Sequence, residues 1–347
     1  MKYLLFVSFF LFTNLSFSQS SSQNKTFVAN NDSTYAGPRL GHGSTKFIGN
    51  LRGKAEYNFA NLWGQVTPEN DGKWEKIGIT PDSASWNWEP VTKLYNYAKA
   101  NKMQFKFHTL IWGRQQPAWI SDLKPHEQLK YITTWIRQVG QRFPDVEMVD
   151  VVNEALPNHW PPDGRKETVN YINALGGKGE TGYDWVIKSF RLARKYMPNA
   201  KLILNDYSII NNDSSTLAYL EIINLLKDRK LIDGIGIQGH RGELINVPVA
   251  YLKQNLDHLA ATGLPIYLSE IDLGSDNKAT VSDDQEQLDQ YQRIFPVLWE
   301  HPGVVGITFW GYVEGRMWKK NCYLVRANGT WRPAMSWLAA YLAKNPL

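Results

Sequence analysis

The hydrophobic residues of this chain fall into two alternating patterns. Short runs of branched apolar residues, typical of strands buried on both faces of a parallel sheet, lie between longer segments with the apolar spacing of helices. The predicted strands occupy residues 45–49, 63–67, 103–108, 147–152, 200–204, 233–238, 265–269 and 304–309. The clearest predicted helices occupy residues 88–100, 125–142, 183–196, 216–229, 284–299 and 333–343. Eight strands, each followed by a helix or a segment of helical length, predict an α/β fold with one (β/α)8 barrel.

An open, doubly wound sheet is the alternative to a barrel. Such sheets commonly bind nucleotides through a glycine-rich turn after a strand. Neither G-x-G-x-x-G nor G-x-x-x-x-G-K-[ST] follows any of the predicted strands. The pattern therefore favours the barrel, whose active site lies where the strands end.

The first eighteen residues have the layout of a secretory signal peptide. Lys2 precedes an apolar run over residues 4–12, and the small residues Ser16 and Ser18 follow it. The run is too short to span a bilayer, which takes ~20 residues. We expect residues 1–18 to be a signal peptide, 19–37 a flexible segment rich in Ser and Asn, and 38–347 a single folded domain. The protein is expected to be exported, periplasmic or secreted, without a membrane anchor.

Charge and composition exclude several other classes of function. The net charge of +5 is spread along the chain without a dense basic run, so we expect no nucleic-acid partner. Cys322 is the only cysteine, and the seven histidines lack the spacing of metal ligands, so we expect no metal and no cofactor. We expect a monomer. Of the fourteen tryptophans, Trp63, Trp119, Trp185 and Trp337 are interpreted as packing residues.

Polar or aromatic side chains follow nearly every predicted strand. Two of them are carboxylates, Glu154 after the fourth strand and Glu270 after the seventh. These strands lie across the barrel from one another, so both side chains can face one centre. A pair of carboxyl groups is what glycoside hydrolysis needs, with ~5–5.5 Å between them for retention and ~6.5–9.5 Å for inversion of the anomeric centre. Sequence spacing leaves both outcomes open.

Seven ordered motifs resemble one known family. They are TPENDGKW, HTLIW followed by Gln115 and Pro117, VVNEA, FRLARKYMPNAKLILNDY, GIGIQGH, LPIYLSEIDL and TFWG. This order is similar to that of glycoside hydrolase family 10, the retaining endo-β-1,4-xylanases, from about Leu40 to Leu342. The resemblance implies that residues 38–347 form a (β/α)8 catalytic domain that hydrolyses xylan or xylo-oligosaccharides.

The resemblance also implies roles for individual residues. Glu154 would be the acid/base and Glu270 the nucleophile. Asn153 would hold the 2-hydroxyl of the reacting sugar or orient the nucleophile. His240 would hydrogen-bond Glu270, and Asp272 would hold His240 in one tautomer. The positions that match the glycone subsites are Glu69, Asn70, Lys73, His108, Trp112 and Gln115. Tyr207 and Gln238 match positions near the scissile bond, and Trp310 and Trp318 match tryptophans that roof the reacting sugar.

The chemistry places one demand on Glu154 whatever its family. To act as an acid near neutral pH it must hold a proton, so its pKa must be raised by burial or by the charge of Glu270. Once Glu270 becomes a neutral glycosyl ester, the repulsion ends and Glu154 can activate water.

One position departs from the family. A second histidine commonly follows the tryptophan of the third motif, where this chain has Gly113 and then Arg114. Arg114, Arg241 and Arg316 all lie on predicted loops at the barrel mouth. They are either ordinary solvated arginines or contacts for a uronic-acid branch, since a guanidinium can grip a carboxylate through two hydrogen bonds. Two alternatives to a xylanase stay open: a retaining β-glycosidase acting on another β-glycan or an aryl glycoside, and a non-catalytic carbohydrate-binding barrel.

Overall fold

The computed structural model describes residues 35–52, 58–159, 171–275 and 281–347. Eight parallel strands pair in sequence order, and the eighth pairs with the first to close a barrel. The strands are β1 Phe47–Arg52, β2 Gln65–Pro68, β3 Gln104–Trp112, β4 Met148–Asn153, β5 Lys201–Asp206, β6 Gly234–Ile237, β7 Ile266–Ile271 and β8 Val304–Phe309. The predicted (β/α)8 fold is confirmed.

Helices connect the strands on the outside of the barrel. They are α1 Phe59–Leu62, α2 Trp74–Ile77, α3 Glu89–Ala100, α4 Pro125–Arg142, α5 Asp184–Tyr196, α6 Asp213–Asp228, α7 Arg241–Leu244, α8 Val249–Ala260, α9 Val281–Glu300 and α10 Pro333–Lys344. Proline in the first turn of α3, α4 and α10 favours helix initiation there. Proline lacks a backbone N–H, and the N–H groups of the first turn have no partner within the helix. At α6 the side chain of Asn212 caps the helix by accepting the N–H of Ser215 at 3.1 Å.

The strand bounds agree with the sequence pattern to within a few residues, with one instructive difference. β4, β5 and β7 extend beyond their apolar runs to include Asn153, Asp206 and Glu270. Strand pairing thus continues into the polar endings, which fixes their backbones by hydrogen bonds.

Residues 234–239 (GIGIQG) have the glycine spacing of a dinucleotide-binding turn, but they form β6 and its end. A Cβ on Gly236 would overlap the side chain of Asn205 on the neighbouring strand.

The barrel has two separate hydrophobic regions. The larger lies between the sheet and the helices and contains Trp63 and Trp185, with Trp119 and Trp337 packed at its edge, as predicted. The smaller fills the lower end of the barrel with Met148, Ile203 and Tyr267. Above it the interior is polar. There the Thr308 hydroxyl on β8 donates to Gln65 Oε1 on β2 at 2.8 Å, so the bond joins two strands that are separated by β1. The chain thus places its polar interior directly beneath the mouth.

The signal-peptide prediction for residues 1–18 lies outside the described residues, as does nearly all of the segment 19–37. Among the helices of the described ranges, none combines the length and the apolar content that crossing a bilayer requires.

Candidate active site

A cleft of about 640 Å³ lies at the carboxyl ends of the strands. It brings together nearly all of the side chains singled out in the sequence. Those that line it are Glu69, Asn70, Lys73, His108, Trp112, Arg114, Gln115, Asn153, Glu154, Tyr207, Gln238, His240, Glu270, Trp310 and Trp318. Ser208, Gly242, Glu243 and Lys319 also line the cleft, and the sequence reasoning did not select them.

Glu154 begins the loop after β4 and lies in the wall of the cleft, only 8% exposed. Its backbone φ is +61°, in the left-handed region that non-glycine residues seldom occupy. The bond from its N–H to the Asn205 carbonyl, at 2.8 Å, holds it there. Burial raises the pKa of the Glu154 carboxyl, and the charges of Asp206 and Glu270 add to the effect, whereas the hydrogen bond from Gln238 at 3.3 Å opposes it. This carboxyl is therefore suited to carry a proton.

Glu270 lies within β7 and is buried to a similar degree, but its pKa moves the other way. Burial alone would raise it, but the hydrogen bond from His240 and the positive charges of His108, His240 and Lys106 outweigh burial and lower the pKa of Glu270 to about 2. Its second oxygen accepts the amide N–H of Asn205 at 2.9 Å. This carboxyl is therefore held ionised and in a fixed orientation, as a nucleophile requires.

His240 connects Glu270 to Asp272. Its Nε2 lies 3.2 Å from Glu270 Oε2, and its Nδ1 lies 3.0 Å from Asp272 Oδ2. Burial lowers the pKa of His240, but the two carboxylates more than offset it and raise the pKa to about 10. The ring is therefore an imidazolium that donates from both nitrogens. This differs from the expected role of Asp272, because a doubly protonated ring has no tautomer to select and Asp272 instead stabilises its charge.

Asn205 is one of the residues that the sequence reasoning missed. Its amide nitrogen donates to Asn153 Oδ1 at 2.8 Å as well as to Glu270, and its oxygen accepts the Ser269 hydroxyl at 2.5 Å. Asn153 itself donates to Glu154 at 3.4 Å. Asn205 thus joins the acid/base side to the nucleophile side. The feature that could have identified Asn205 from the sequence was its position near the end of the fifth strand, directly before Asp206.

Lys73 organises the opposite wall of the cleft. Its ammonium donates to Gln115 Oε1 at 2.7 Å and to Asn70 Oδ1 at 3.2 Å. Burial lowers the pKa of Lys73, and the surrounding carboxylates, Glu270 first, act against that change. The backbone here is close to β3, since a Cβ on Gly72 would overlap the carbonyl oxygen of His108. Glycine in the TPENDGKW motif is explained by this close approach.

A buried ionic group lies below the cleft. Asp150 accepts hydrogen bonds from the ammonium of Lys106 at 3.1 Å and from His108 Nδ1 at 2.9 Å, and all three side chains are almost fully buried. In the sequence, the only indication of this group was the presence of charged or polar residues within the apolar runs MQFKFH and EMVDVV. The group fixes the ring of His108 at the floor of the cleft.

We expect Asp150→Asn to lower the free energy of unfolding by about 3–5 kcal/mol, because it leaves the Lys106 ammonium buried without a counter-charge. Urea denaturation followed by circular dichroism measures the change. Glu89→Gln is the matched control. It makes the same change from carboxylate to amide in an exposed ion pair, in which Glu89 Oε1 lies 2.7 Å from Lys93 Nζ, and the midpoint of unfolding should stay unchanged. Equal midpoints for the two variants would contradict the assignment.

Asp206, at the end of β5, connects two of the loops that form the cleft. Its carboxylate bonds His159 Nδ1 at 2.6 Å and the N–H groups of Leu156 at 3.0 Å and Tyr207 at 2.9 Å. The His159 ring stacks on Tyr207 with centroids 3.7 Å apart. Asp206 therefore ties the loop that carries Glu154 to the aromatic face of Tyr207. His159 was not predicted, because it becomes relevant only through this stacking.

Two tryptophans from the β8 loop close the cleft from above. Trp310 is buried and meets the His108 ring edge-on at 5.3 Å between centroids. Trp318 is 51% exposed, and its indole N–H donates to Asp272 Oδ2 at 2.8 Å. Of the three arginines, Arg114 lines the cleft, whereas a guanidinium nitrogen of Arg241 donates to the carbonyl of Ser275. Arg316 is exposed on the same loop as Trp318.

The site holds no recognisable metal centre in the part of the chain that the structure describes, where no three carboxylate, histidine or cysteine side chains are placed to share an ion. Its distinguishing feature is a pair of carboxyl groups whose pKa values are shifted in opposite directions in an aromatic-lined cleft. A parallel barrel with this pair at its mouth has the arrangement of a glycoside hydrolase.

Comparison with known proteins narrows this class. The family described as Glycosyl hydrolase family 10 matches residues 29–341, and the chain belongs to that family. Endo-1,4-beta-xylanase B of Cellvibrio japonicus (strain Ueda107) is 41% identical over 297 residues, which are 84% of this chain and 45% of that protein. Endo-1,4-beta-xylanase B of Thermotoga neapolitana is 32% identical over 76% of this chain and 72% of its own length.

A solved structure agrees with these relatives. The crystal structure of xylanase 10B from Thermotoga petrophila RKU-1 in complex with xylobiose superimposes with a TM-score of 0.75 and 25% sequence identity. The match covers 89% of this chain and 98% of that one.

Proposed function

We propose that this protein is an endo-1,4-β-xylanase that cleaves internal β-1,4-xylosidic bonds of xylan with retention of anomeric configuration. The observation that carries the proposal is the placement of Glu154 and Glu270 in the wall of one cleft, where their surroundings raise the pKa of the first and lower the pKa of the second. A protonated acid and an ionised nucleophile are both required before the first bond can break.

In the first step a carboxylate oxygen of Glu270 attacks the anomeric carbon as the bond to the leaving oxygen breaks. Glu154 gives its proton to that oxygen, so the leaving sugar departs as a neutral alcohol. The hydrogen bonds of Glu270 to His240 and Asn205 orient its attacking oxygen. The product is a glycosyl ester on Glu270.

In the second step water replaces the leaving sugar. Glu270 is now a neutral ester, so its charge no longer raises the pKa of Glu154, and the Glu154 carboxylate takes a proton from water as the water oxygen attacks the anomeric carbon. The ester bond breaks, which regenerates the Glu270 carboxylate and the protonated Glu154. Two inversions at one carbon give retention.

The substrate assignment is supported by the relatives. The two curated relatives named above are both endo-1,4-beta-xylanases, and the solved neighbour holds xylobiose. We assign the glycone sugars to the wall formed by Glu69, Asn70, Lys73 and Gln115, and the roof of the reacting sugar to Trp310 and Trp318. The presence of both carboxyl groups with their supporting residues argues against a non-catalytic binding barrel. We further propose that residues 1–18 direct export and that the protein acts as a monomer outside the cytoplasm.

Product analysis tests the function directly. Glucuronoxylan and xylo-oligosaccharides are digested, the products are separated by size, and the anomer first formed is followed by NMR. Short xylo-oligosaccharides appearing as the β-anomer before mutarotation are expected. An α-anomer would refute the retaining mechanism, and activity confined to glucans or aryl glycosides would favour another β-glycosidase of the same family.

Asp272→Asn is expected to lower the pKa of His240 from about 10, because burial lowers this pKa and Asp272 contributes most to raising it. Above the lowered pKa the ring is neutral, and Glu270 loses its cationic hydrogen-bond donor. The measurement is an NMR titration of the His240 ring, with kcat/KM for xylohexaose followed over the same pH range.

Trp318→Phe is the control for this titration, because it removes the other side-chain donor to Asp272 Oδ2 but leaves the carboxylate in place. The pKa of His240 should stay high in this variant. An unchanged His240 pKa in Asp272→Asn would show that Asp272 does not stabilise the charge of His240.

A further inference from the structure

Glu243 is a carboxyl group in the wall of the cleft, besides Glu69, Glu154 and Glu270, and the mechanism above does not use it. It lies in α7 and is 6% exposed. One oxygen, Oε1, accepts the N–H of His240 at 3.2 Å, which is the ordinary capping bond for a glutamate in the first turn of a helix. The other oxygen, Oε2, accepts the N–H of Ser208 at 2.7 Å. Capping does not account for this second bond.

The bond to Ser208 joins two loops of the barrel mouth. Ser208 follows β5, whereas Glu243 follows β6, and the two residues are 35 positions apart. The φ of Ser208 is +53°, so its backbone is in the left-handed region and needs support from outside the loop. Ser208 follows Tyr207 directly. Glu243 therefore holds the backbone turn that sets the direction of the Tyr207 ring.

The position of this bond in the cleft indicates which sugar it serves. The side chains assigned to the glycone sugars come from the loops after β2 and β3, and Glu154 follows β4. Tyr207, Ser208 and Glu243 line the far side, after β5 and β6. A sugar chain cut beside Glu154 must continue in that direction, so the sugar bonded to the leaving oxygen lies next to Tyr207.

We infer that Glu243 is a positioning residue for the leaving-group sugar. By linking the backbone of Ser208 to that of His240, it holds Tyr207 against the sugar that departs in the first step. The inference rests on the proposed function. It concerns only substrates with a sugar on the leaving side, because an activated aryl group departs without needing that wall.

The charge of Glu243 makes this link sensitive to pH. Burial raises the pKa of Glu243 to about 7; the His240 cation and the two N–H bonds lower it, and Asp272 adds to the rise. On the β5 side the titratable groups are Asp206 and the Tyr207 hydroxyl, and burial raises the pKa of both. Both oxygens accept N–H bonds when Glu243 is ionised, whereas the protonated form turns one oxygen into a donor. The link is therefore complete above neutral pH and weakened below it.

Two substrates test the inference in Glu243→Gln and Glu243→Ala variants. Xylohexaose carries sugars on both sides of the scissile bond, whereas dinitrophenyl β-xylobioside has no sugar on the leaving side. We expect kcat/KM for xylohexaose to fall about 10–100-fold, from the loss of bonds to a charged group and the misplacement of Tyr207. The value for the aryl glycoside should change less than about threefold. Equal losses on both substrates, or no loss on xylohexaose, would overturn the inference.

Glu127→Gln is the matched control. Glu127 occupies the same position in the first turn of α4, where Oε2 accepts the N–H of Lys124 at 3.0 Å, and it is not among the residues lining the cleft. Both substrates should react as in the unmodified protein. If Glu243→Ala does not fold, as thermal denaturation would reveal, the Gln variant carries the test. An unmodified protein inactive on both substrates would instead refute the proposed function.

The pH dependence gives a second readout when kcat/KM of the unmodified protein is divided by that of Glu243→Gln on the same substrate, because ionisations of Glu154 and Glu270 occur in both proteins and cancel. For xylohexaose this ratio should rise between about pH 6 and about pH 8. For the aryl glycoside it should be flat. A flat ratio for xylohexaose would show that the link does not depend on the ionisation of Glu243.

Discussion

Glu270→Ala is expected to lower kcat on xylo-oligosaccharides by at least about 10⁴-fold, because it removes the group that forms the glycosyl ester. Glu270 lies within β7, and its N–H bonds the carbonyl of Gln238, so its backbone position does not depend on its side chain. His240 keeps Asp272 as its counter-charge. The variant should therefore fold and bind substrate while losing the chemistry.

Azide identifies the missing group by stereochemistry. In Glu270→Ala the side chain leaves a space beneath the anomeric carbon, and azide entering there displaces the leaving group once, which gives the α-glycosyl azide. Dinitrophenyl β-xylobioside is the substrate, and NMR of the product is the measurement. A β-glycosyl azide from this variant would show that the nucleophile lies elsewhere.

Glu154→Ala should lower kcat on xylan by about 10²–10⁴-fold, the usual contribution of a positioned acid and base. The effect on dinitrophenyl β-xylobioside should differ between the two steps. Its leaving group departs without a proton, so the ester on Glu270 still forms, but water then lacks a base. A burst of dinitrophenolate followed by slow turnover is expected in stopped-flow measurements.

Azide again distinguishes the roles. It needs no base, so it should react with the ester in Glu154→Ala, restore turnover and give the β-glycosyl azide, the opposite anomer to that from Glu270→Ala. Gln238→Ala serves as the comparison, because it removes a hydrogen bond to Glu154 but keeps the carboxyl group, and it should show no burst. An absence of azide rescue in Glu154→Ala would contradict the assignment of the acid/base.

Local sequence was sufficient for the barrel and for its two principal carboxyl groups. The strands of a parallel barrel are apolar on both faces, so runs such as VDVV and PIYLS are visible without knowledge of their neighbours. Glu154 and Glu270 stood out because each lies within two residues of the end of such a run. The helix α8 was not among the clearest patterns, and it lies between the short α7 and β7.

Charge states and contacts between strands could not be predicted in the same way. The imidazolium of His240 depends on Glu270 in β7 and on Asp272 directly after it, which lie 30 and 32 positions away along the chain. The bond from Ser208 to Glu243 requires β5 and β6 to be neighbours, although the spacing of His240 and Glu243 was a visible signal for half of that arrangement. His159 is relevant only because Asp206 and Tyr207 are close to it. In each case the missing information is the register between strands rather than any property of the residue itself.

Six non-glycine residues of the described chain have a left-handed backbone conformation, and their positions determine where the protein can be stabilised by substitution. Glu154, Gln115 and Ser208 have positive φ angles and line the cleft, whereas Asn58, Lys102 and Lys230 have them elsewhere. Glycine relieves such strain, because it adopts positive φ angles without a steric cost. At the first three positions the relief would be gained at the expense of turnover, because each side chain lies in the working surface. Substitutions intended to raise thermal stability should therefore begin at Asn58, Lys102 and Lys230, which lie outside the cleft, so that a gain in stability does not reduce activity.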